Sequence, residues 1–207
     1  MPQKCCPFIE GIWLTVCLMN DMDAILNQVR DFADKAHGDQ TRKYTPERYI
    51  VHPVRVMNLC RQHNQSLPVL CAALLHDVLE DTPVSKQDIY TFLCGIMPAD
   101  EAHQTIELVV ELTDVYTKAS YPAWNRRKRR AAEAERITQT SAEAQTIKYA
   151  DILDNCREIV QNDPDFARLF LWECKQLLNA IPNGVPALYQ LAKEQVQVSQ
   201  RQLRERT

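Results

Sequence analysis

The chain has 207 residues, 45% of them hydrophobic and 25% charged, with a formal net charge of −3. This suits a single domain with a real core, and the slightly acidic balance gives no general attraction to nucleic acid. Its eight cysteines, at 5, 6, 17, 60, 71, 94, 156 and 174, include no C-x-x-C pair, which argues against a zinc ribbon or a thioredoxin-like site.

Cys60, Cys71, Cys94, Cys156 and Cys174 stand among apolar residues and read as buried free thiols, the state kept by a reducing cytoplasm. Cys5 to Met19 is apolar around Ile12-Trp13-Leu14-Thr15-Val16-Cys17-Leu18 but carries Glu10. It is too short to span a bilayer and lacks the flanks of a signal peptide, so no membrane association is expected. Residues 1–20 read as a variable extension that packs on the domain or is disordered, with Met19 and Met22 as alternative starts. Residues 21–192 read as the domain, and 193–207 as a polar tail that frays.

Only four glycines occur, and apolar residues recur at three- and four-residue intervals, so the fold reads as all-α. Asp21 or Asp23 is expected to cap a first helix ending near His37, with Ile25, Val29, Phe32, Ala33 and Ala36 inward. A polar connection, Gly38 to Pro46, carries Arg42 and Lys43. Pro53 suits the first turn of the next helix and disposes His52 to an extended conformation. That helix runs to about Gln62. Leu67-Pro68 opens a central helix that Thr82-Pro83 ends. Ser85 caps a short helix over Lys86 to Leu93, and Pro98 introduces one reaching about Thr113. Pro122 starts another through the basic run Arg126 to Arg130. Ser141 begins a helix with Ile147, Ala150, Ile152 and Ile159 in its apolar set. Asp163-Pro164 and Pro182 to Pro186 frame the last two.

Chemistry concentrates in Ala72-Ala73-Leu74-Leu75-His76-Asp77-Val78-Leu79-Glu80-Asp81-Thr82, an apolar helix ending in four ionisable residues. Helical spacing brings Glu80 near His76 and Asp77, and Asp81 near Asp77. Charges carried toward an interior need partners or a metal. His52 and Asp151 are the other candidate ligands, and Asp151, inside an apolar stretch, caps, pairs or binds metal. Two imidazoles and two carboxylates suit Mn²⁺, Fe²⁺ or Zn²⁺ better than Ca²⁺, and octahedral geometry with open water positions favours manganese. His63 and His103 read as exposed helix-end residues.

An early histidine, a His-Asp doublet and a later aspartate resemble the HD-superfamily metal phosphohydrolases. The fit is closer to one branch. Lys35-Ala36-His37, Gln40-Thr41-Arg42-Lys43, Tyr49-Ile50-Val51-His52-Pro53-Val54, the His76 stretch and Lys148-Tyr149-Ala150-Asp151-Ile152-Leu153-Asp154-Asn155 resemble the hydrolase domain of RelA/SpoT-type proteins, over roughly Phe32 to Arg157. With nothing resembling the synthetase or regulatory domains, the chain is similar to the stand-alone small alarmone hydrolases. The resemblance implies an HD helical bundle with a metal site in a central cleft, one Mn²⁺, and removal of pyrophosphate from the 3′ position of guanosine tetra- or pentaphosphate. It implies His52, His76, Asp77 and Asp151 as metal ligands, and Glu80 and Asp81 as the groups that orient and deprotonate water. It implies Asn155 at the nucleotide or its phosphates and Arg42 and Lys43 on base and phosphate. Lys148 belongs to the same substrate-binding set. The expected partner is a small nucleotide, with no nucleic acid.

Two departures from the family pattern stand out. Arg48 occupies a place where proline is common, which bears on base selectivity, and Cys156 replaces a larger apolar residue and would widen the pocket. The run Arg126 to Arg130 either lines the phosphate-entry side or, the commoner case, forms a solvated face paired with Glu133 and Glu135. Two other readings compete. One is a related HD phosphohydrolase acting on adenosine alarmones or on the phosphate of NADPH. The other is a metal-retaining nucleotide-binding module without turnover, against which Glu80 and Asp81 speak, since a binder needs no general base.

Overall fold

The structure, a computed structural model, describes the backbone of residues 7–206 and the side chains of residues 21–206. The cysteines at 5, 6 and 17 and the side chains of the apolar N-terminal stretch lie outside the described side chains. Among the described residues the chain is all α, as expected: α1 Pro7–His37, α2 Val51–Gln62, α3 Leu67–Leu75, α4 Val78–Asp81, α5 Lys86–Cys94, α6 Ala99–Leu112, α7 Arg126–Ile137, α8 Ala142–Asn162, α9 Pro164–Ala180 and α10 Pro186–Glu205. No described helix is long and apolar enough to cross a membrane.

The core forms around α3, whose residues from Pro68 to Leu75 are all buried. With α1, α2, α6 and α8 packed on it, a helix apolar on every side has no solvent face to present. α8 is the second hub, packed against α2, α9 and α10. The site lies where α2, the α3–α4 junction and α8 meet.

Most helix starts follow local chemistry. Ser85 and Asp88 form a reciprocal capping box on α5, the Ser141 hydroxyl accepts from the Ala144 N–H on α8, and prolines open α9 and α10. Gly38 takes a left-handed φ of +57° just past α1, a conformation open to a residue without Cβ.

Several expectations are corrected. α1 begins at Pro7, so Asp21 and Asp23 stand inside it rather than at its cap. His52 is helical, not extended, because α2 starts at Val51. Pro53 then falls in the first turn, where its missing N–H costs nothing. α7 starts after Asn125, whose side chain accepts from the Lys128 N–H, rather than at Pro122. The tail does not fray: α10 runs to Glu205 and buries Val196, Ser199 and Leu203. Cys94 is exposed, whereas Cys60, Cys71, Cys156 and Cys174 are buried free thiols as expected. His103 is exposed, but on the body of α6, and His63 is half-buried at the end of α2.

The central stretch is not one helix. α3 stops at Leu75 and α4 restarts at Val78, leaving His76 and Asp77 at the break. The freed Ala73 carbonyl accepts from His76 Nδ1 at 2.9 Å, and the Asp77 carbonyl accepts from the N–H groups of Glu80 and Asp81. Asp77, at φ −96° and ψ −7°, sits in the sparsely populated bridge region that active-site residues often use.

Candidate metal centre and substrate cleft

Each histidine is held by one ring nitrogen and presents the other. The Ala73 carbonyl can only accept, so His76 Nδ1 carries the hydrogen and Nε2 is a bare lone pair. His52 Nδ1 donates at 2.7 Å to Asp154 Oδ2, which leaves Nε2 as the ring atom turned toward the cluster. Arg55 Nε lies 2.9 Å from the other Asp154 oxygen, and His52 and Arg55 hold that carboxyl below its ordinary range against the effect of burial.

Both Nε2 atoms face carboxylates. His76 Nε2 lies 3.0 Å and His52 Nε2 3.8 Å from Asp77 Oδ2, and His52 Nε2 lies 3.3 Å from Asp151 Oδ1. One ligand atom each from His52, His76 and Asp77 falls within 4.8 Å of the others. Asp151 adjoins this trio through His52 rather than belonging to it. Its oxygens are also held by Asn155 Nδ2 at 2.6 Å and Lys148 Nζ at 3.0 Å.

This donor set fits a divalent cation. His76 Nε2 is buried and, close as it is to Asp77, makes no hydrogen bond. Without an ion the carboxylates hold a proton on His52: burial opposes the charge, but Asp151 and Asp154 outweigh it and raise the imidazole to about 9. A cation competes for the same lone pair, so binding releases protons. The second-layer contacts of Asp154 and Ala73 orient the two imidazoles as metal sites require.

The remaining expected residues divide. A cleft of about 790 Å³ adjoins the cluster, lined by Arg42, Tyr49, Glu80, Lys148, Asn155, the cluster's own His52 and Asp77, and the adjoining Asp151. Glu80 accepts the Asp114 N–H. Loss of hydration against the cleft wall, then the Asp114 carboxylate, raise its carboxyl to about 7, although the side chain keeps an exposed edge. Asp81 is not on the cleft wall; burial and Asp77 raise its carboxyl too. Asn155 joins Asp151 to Arg42, whose Nη2 donates to Asn155 Oδ1 at 3.0 Å while its buried Nε has no partner. Lys43 stands outside the cleft, 68% exposed and paired with Tyr44 and Asp163. Arg48 pairs with Asp34 on α1, and Cys156 is buried off the wall; Cys174 lines it instead.

The basic run matches neither expected reading in full: it borders the cleft, yet two of its arginines are held in ion pairs. Arg126, Arg127 and Arg130 line the cleft. Arg126 makes a two-pronged pair with Glu173 at 2.8 and 2.7 Å, and Arg130 pairs with Asp114 at 2.9 Å. Glu133 is instead held by Arg136 and by the N–H groups of Val115 and Tyr116. Sequence reasoning missed Asp154, Tyr49 and Glu173. Asp154 lies three residues after Asp151 on α8, a spacing that could have flagged it. Tyr49, whose hydroxyl donates to Asp77 Oδ2 at 2.7 Å, stands in the quoted motif before His52, but nothing local to it pointed to Asp77.

A model of the HD domain matches residues 49–156, which hold the whole cluster. The chain belongs to the HD-domain family. Within it, this HD protein is 31% identical over 154 residues to human MESH1, named a guanosine-3′,5′-bis(diphosphate) 3′-pyrophosphohydrolase, covering 71% of this chain and 76% of that protein. It is 35% identical over 149 residues to the Vibrio cholerae protein of the same activity name, covering 69% of this chain but 19% of that one. The chain spans about a fifth of the length of the long bacterial relatives it matches. A solved metazoan SpoT orthologue, described as hydrolysing ppGpp, superposes with a TM-score of 0.71 at 26% identity, over 87% of this chain and 97% of that one. The resemblance to the SpoT-type hydrolase domain, read from the motifs, is borne out.

Proposed function

We propose that this HD protein hydrolyses guanosine 3′,5′-bispyrophosphate and its pentaphosphate at the 3′ position, releasing pyrophosphate and GDP or GTP. The observation that carries the reading is the set of His52, His76 and Asp77, with Asp151 beside them, at the inner end of a cleft walled by Arg42, Lys148 and three α7 arginines. Cations on the walls suit a substrate with several phosphates, since charge-assisted bonds to phosphate are the strong ones. The activity names of the relatives point the same way.

A divalent ion, Mn²⁺ by the mixed imidazole and carboxylate donors, supplies a polarised phosphoryl oxygen and a more acidic water. His52, His76, Asp77 and Asp151 would hold it. Glu80, with a carboxyl poised near neutrality, takes the proton of the attacking water. Asp81 supports that role through its charge. The water oxygen bonds to the phosphorus on the 3′ oxygen, the bond between them breaks, and the 3′ oxygen gains a proton as pyrophosphate leaves. Arg42 offers its unpartnered Nε, and with Lys148 and Asn155 it holds the inner phosphates. Arg127, which lines the cleft and has no ion-pair partner among the described residues, would meet the outer ones.

The test is product analysis with chelator-stripped protein resupplied with Mn²⁺ or Mg²⁺, on the guanosine substrate and its adenosine counterpart. Intact pyrophosphate plus GDP, faster with Mn²⁺, is expected. Orthophosphate alone, or no turnover of any 3′-pyrophosphorylated nucleotide, overturns the proposal.

A further inference from the structure

One buried imidazole lies outside the chemistry described so far. His37 closes α1 and is 4% exposed. Its ring lies against that of Tyr49, with centroids 4.4 Å apart and planes inclined by 32°. Tyr49 is the residue whose hydroxyl donates to Asp77 Oδ2.

The hydrogens around His37 follow from one acceptor. The Asp81 carbonyl can only accept, and it receives Gln40 Nε2 at 2.8 Å. That orients the Gln40 amide, so its Oε1, 3.0 Å from His37 Nδ1, must accept there. Nδ1 therefore carries the hydrogen. Nε2 is left as a bare acceptor, buried and without a hydrogen-bond partner. A phenyl or aliphatic side chain would fill this space without an unsatisfied buried nitrogen. What it would lack is the bond to Gln40. That bond connects the floor under Tyr49 with the backbone at the end of α4, beside Glu80.

We propose that His37 is a positioning residue for the metal cluster. With Gln40 it fixes the Tyr49 ring so that the hydroxyl stays on Asp77 Oδ2, and it ties the end of α4 to the same support. His37 acts through Tyr49 and touches neither the cluster nor the cleft. The proposal rests on reading His52, His76 and Asp77 as metal donors.

If His37 works through Tyr49, the two substitutions are not additive. Mn²⁺ affinity, measured by the signal of free Mn²⁺ in electron paramagnetic resonance, is compared for the wild type, Tyr49→Phe, His37→Leu and the double variant, with turnover measured in parallel. Tyr49→Phe is expected to weaken Mn²⁺ binding about 10- to 100-fold, the usual cost of a lost outer-layer bond. His37→Leu should lose a smaller part of that, and the double variant no more than Tyr49→Phe alone. Gln40→Ala should reproduce the direction of His37→Leu. It lies on an exposed loop, so it serves should His37→Leu fail to fold. Additive losses, or His37→Leu and Gln40→Ala with wild-type affinity, overturn the proposal. A wild type that binds Mn²⁺ without hydrolysing the nucleotides overturns the proposed activity and leaves the affinity cycle decisive for His37. A wild type that binds no Mn²⁺ overturns both.

Discussion

Replacing Asp154 by Asn changes one atom in a side chain that is 2% exposed, and its cost follows from two contacts. Oδ2 accepts His52 Nδ1–H at 2.7 Å, and the other oxygen faces Arg55 Nε at 2.9 Å. An amide has one oxygen and one NH₂. If the oxygen serves His52, the NH₂ confronts the Arg55 guanidinium, donor against donor. If the NH₂ turns toward His52, Nδ1 must accept and the ring proton moves to Nε2, the atom that faces Asp77 and Asp151. The second state puts a hydrogen on the metal-facing nitrogen, and the first sets two donors together and removes the carboxylate charge that makes the imidazole a better donor. We expect Mn²⁺ affinity to fall about 10- to 100-fold, equivalent to roughly 1.4–2.8 kcal/mol. Arg55 keeps Glu158 at 2.7 Å, so it is not orphaned, and the fold should survive with a lower melting temperature. The assay is competition for Mn²⁺ against a chromogenic chelator, on protein shown by melting to be folded. Unchanged affinity in a folded variant would refute the tautomer argument.

Three more outcomes follow. Glu80→Gln should retain the ion and lose about 10²–10⁴-fold in turnover, because the donor set is intact and only the base is gone; a rate near wild type removes Glu80 from the chemistry. The Glu80 carboxyl, raised to about 7, must be ionised to act, so kcat/KM should rise with pH through an acid limb. Asp114→Asn removes a neighbouring negative charge, favours the carboxylate and should move that limb to lower pH; a shift to higher pH contradicts the assignment. Gly184→Ala places a Cβ 2.5 Å from Tyr149 Cε2 and 2.9 Å from the Thr146 backbone nitrogen, so it should destabilise the fold. Overpacking of this kind costs about 1–3 kcal/mol. An unchanged melting temperature would show that the Pro182 to Val185 loop yields freely.

Helix class and most boundaries were legible because Ser85, Ser141, Pro98, Pro164 and Pro186 act on their immediate neighbours. The three elements that bring His52, His76, Asp77 and Asp151 together were legible from motif resemblance. What escaped was set by contacts distant in the chain. Local propensity favours helix straight through His76 and Asp77, and only packing around α3 and the His76–Ala73 bond mark the break. Asp154 matters because Arg55, 99 positions earlier, and His52 meet it. The arginines of α7 read as a solvated face, since nothing near them reveals Glu173 on α9. The resemblance implied Lys43 beside Arg42 on base and phosphate, but Tyr44 and Asp163 hold its ammonium outside the cleft.

The burial of α10 against α8 bears on how the molecule is made. α8 carries Lys148, Asp151 and Asn155 on the edge that lines the cleft, and Asp154 behind His52. Along its length, Ser199 Oγ donates to the Cys156 carbonyl and Arg206 Nη1 to the Val160 carbonyl. Val160 and Cys156 are buried in the finished protein. During synthesis α2, α3 and α8 are all available before residues 186–205 exist, yet α8 then lacks the helix that covers it. A released chain ending between Asn162 and Pro186 is therefore expected to carry every donor yet hold Mn²⁺ more weakly than the whole chain, because α8 lacks the helix that covers it.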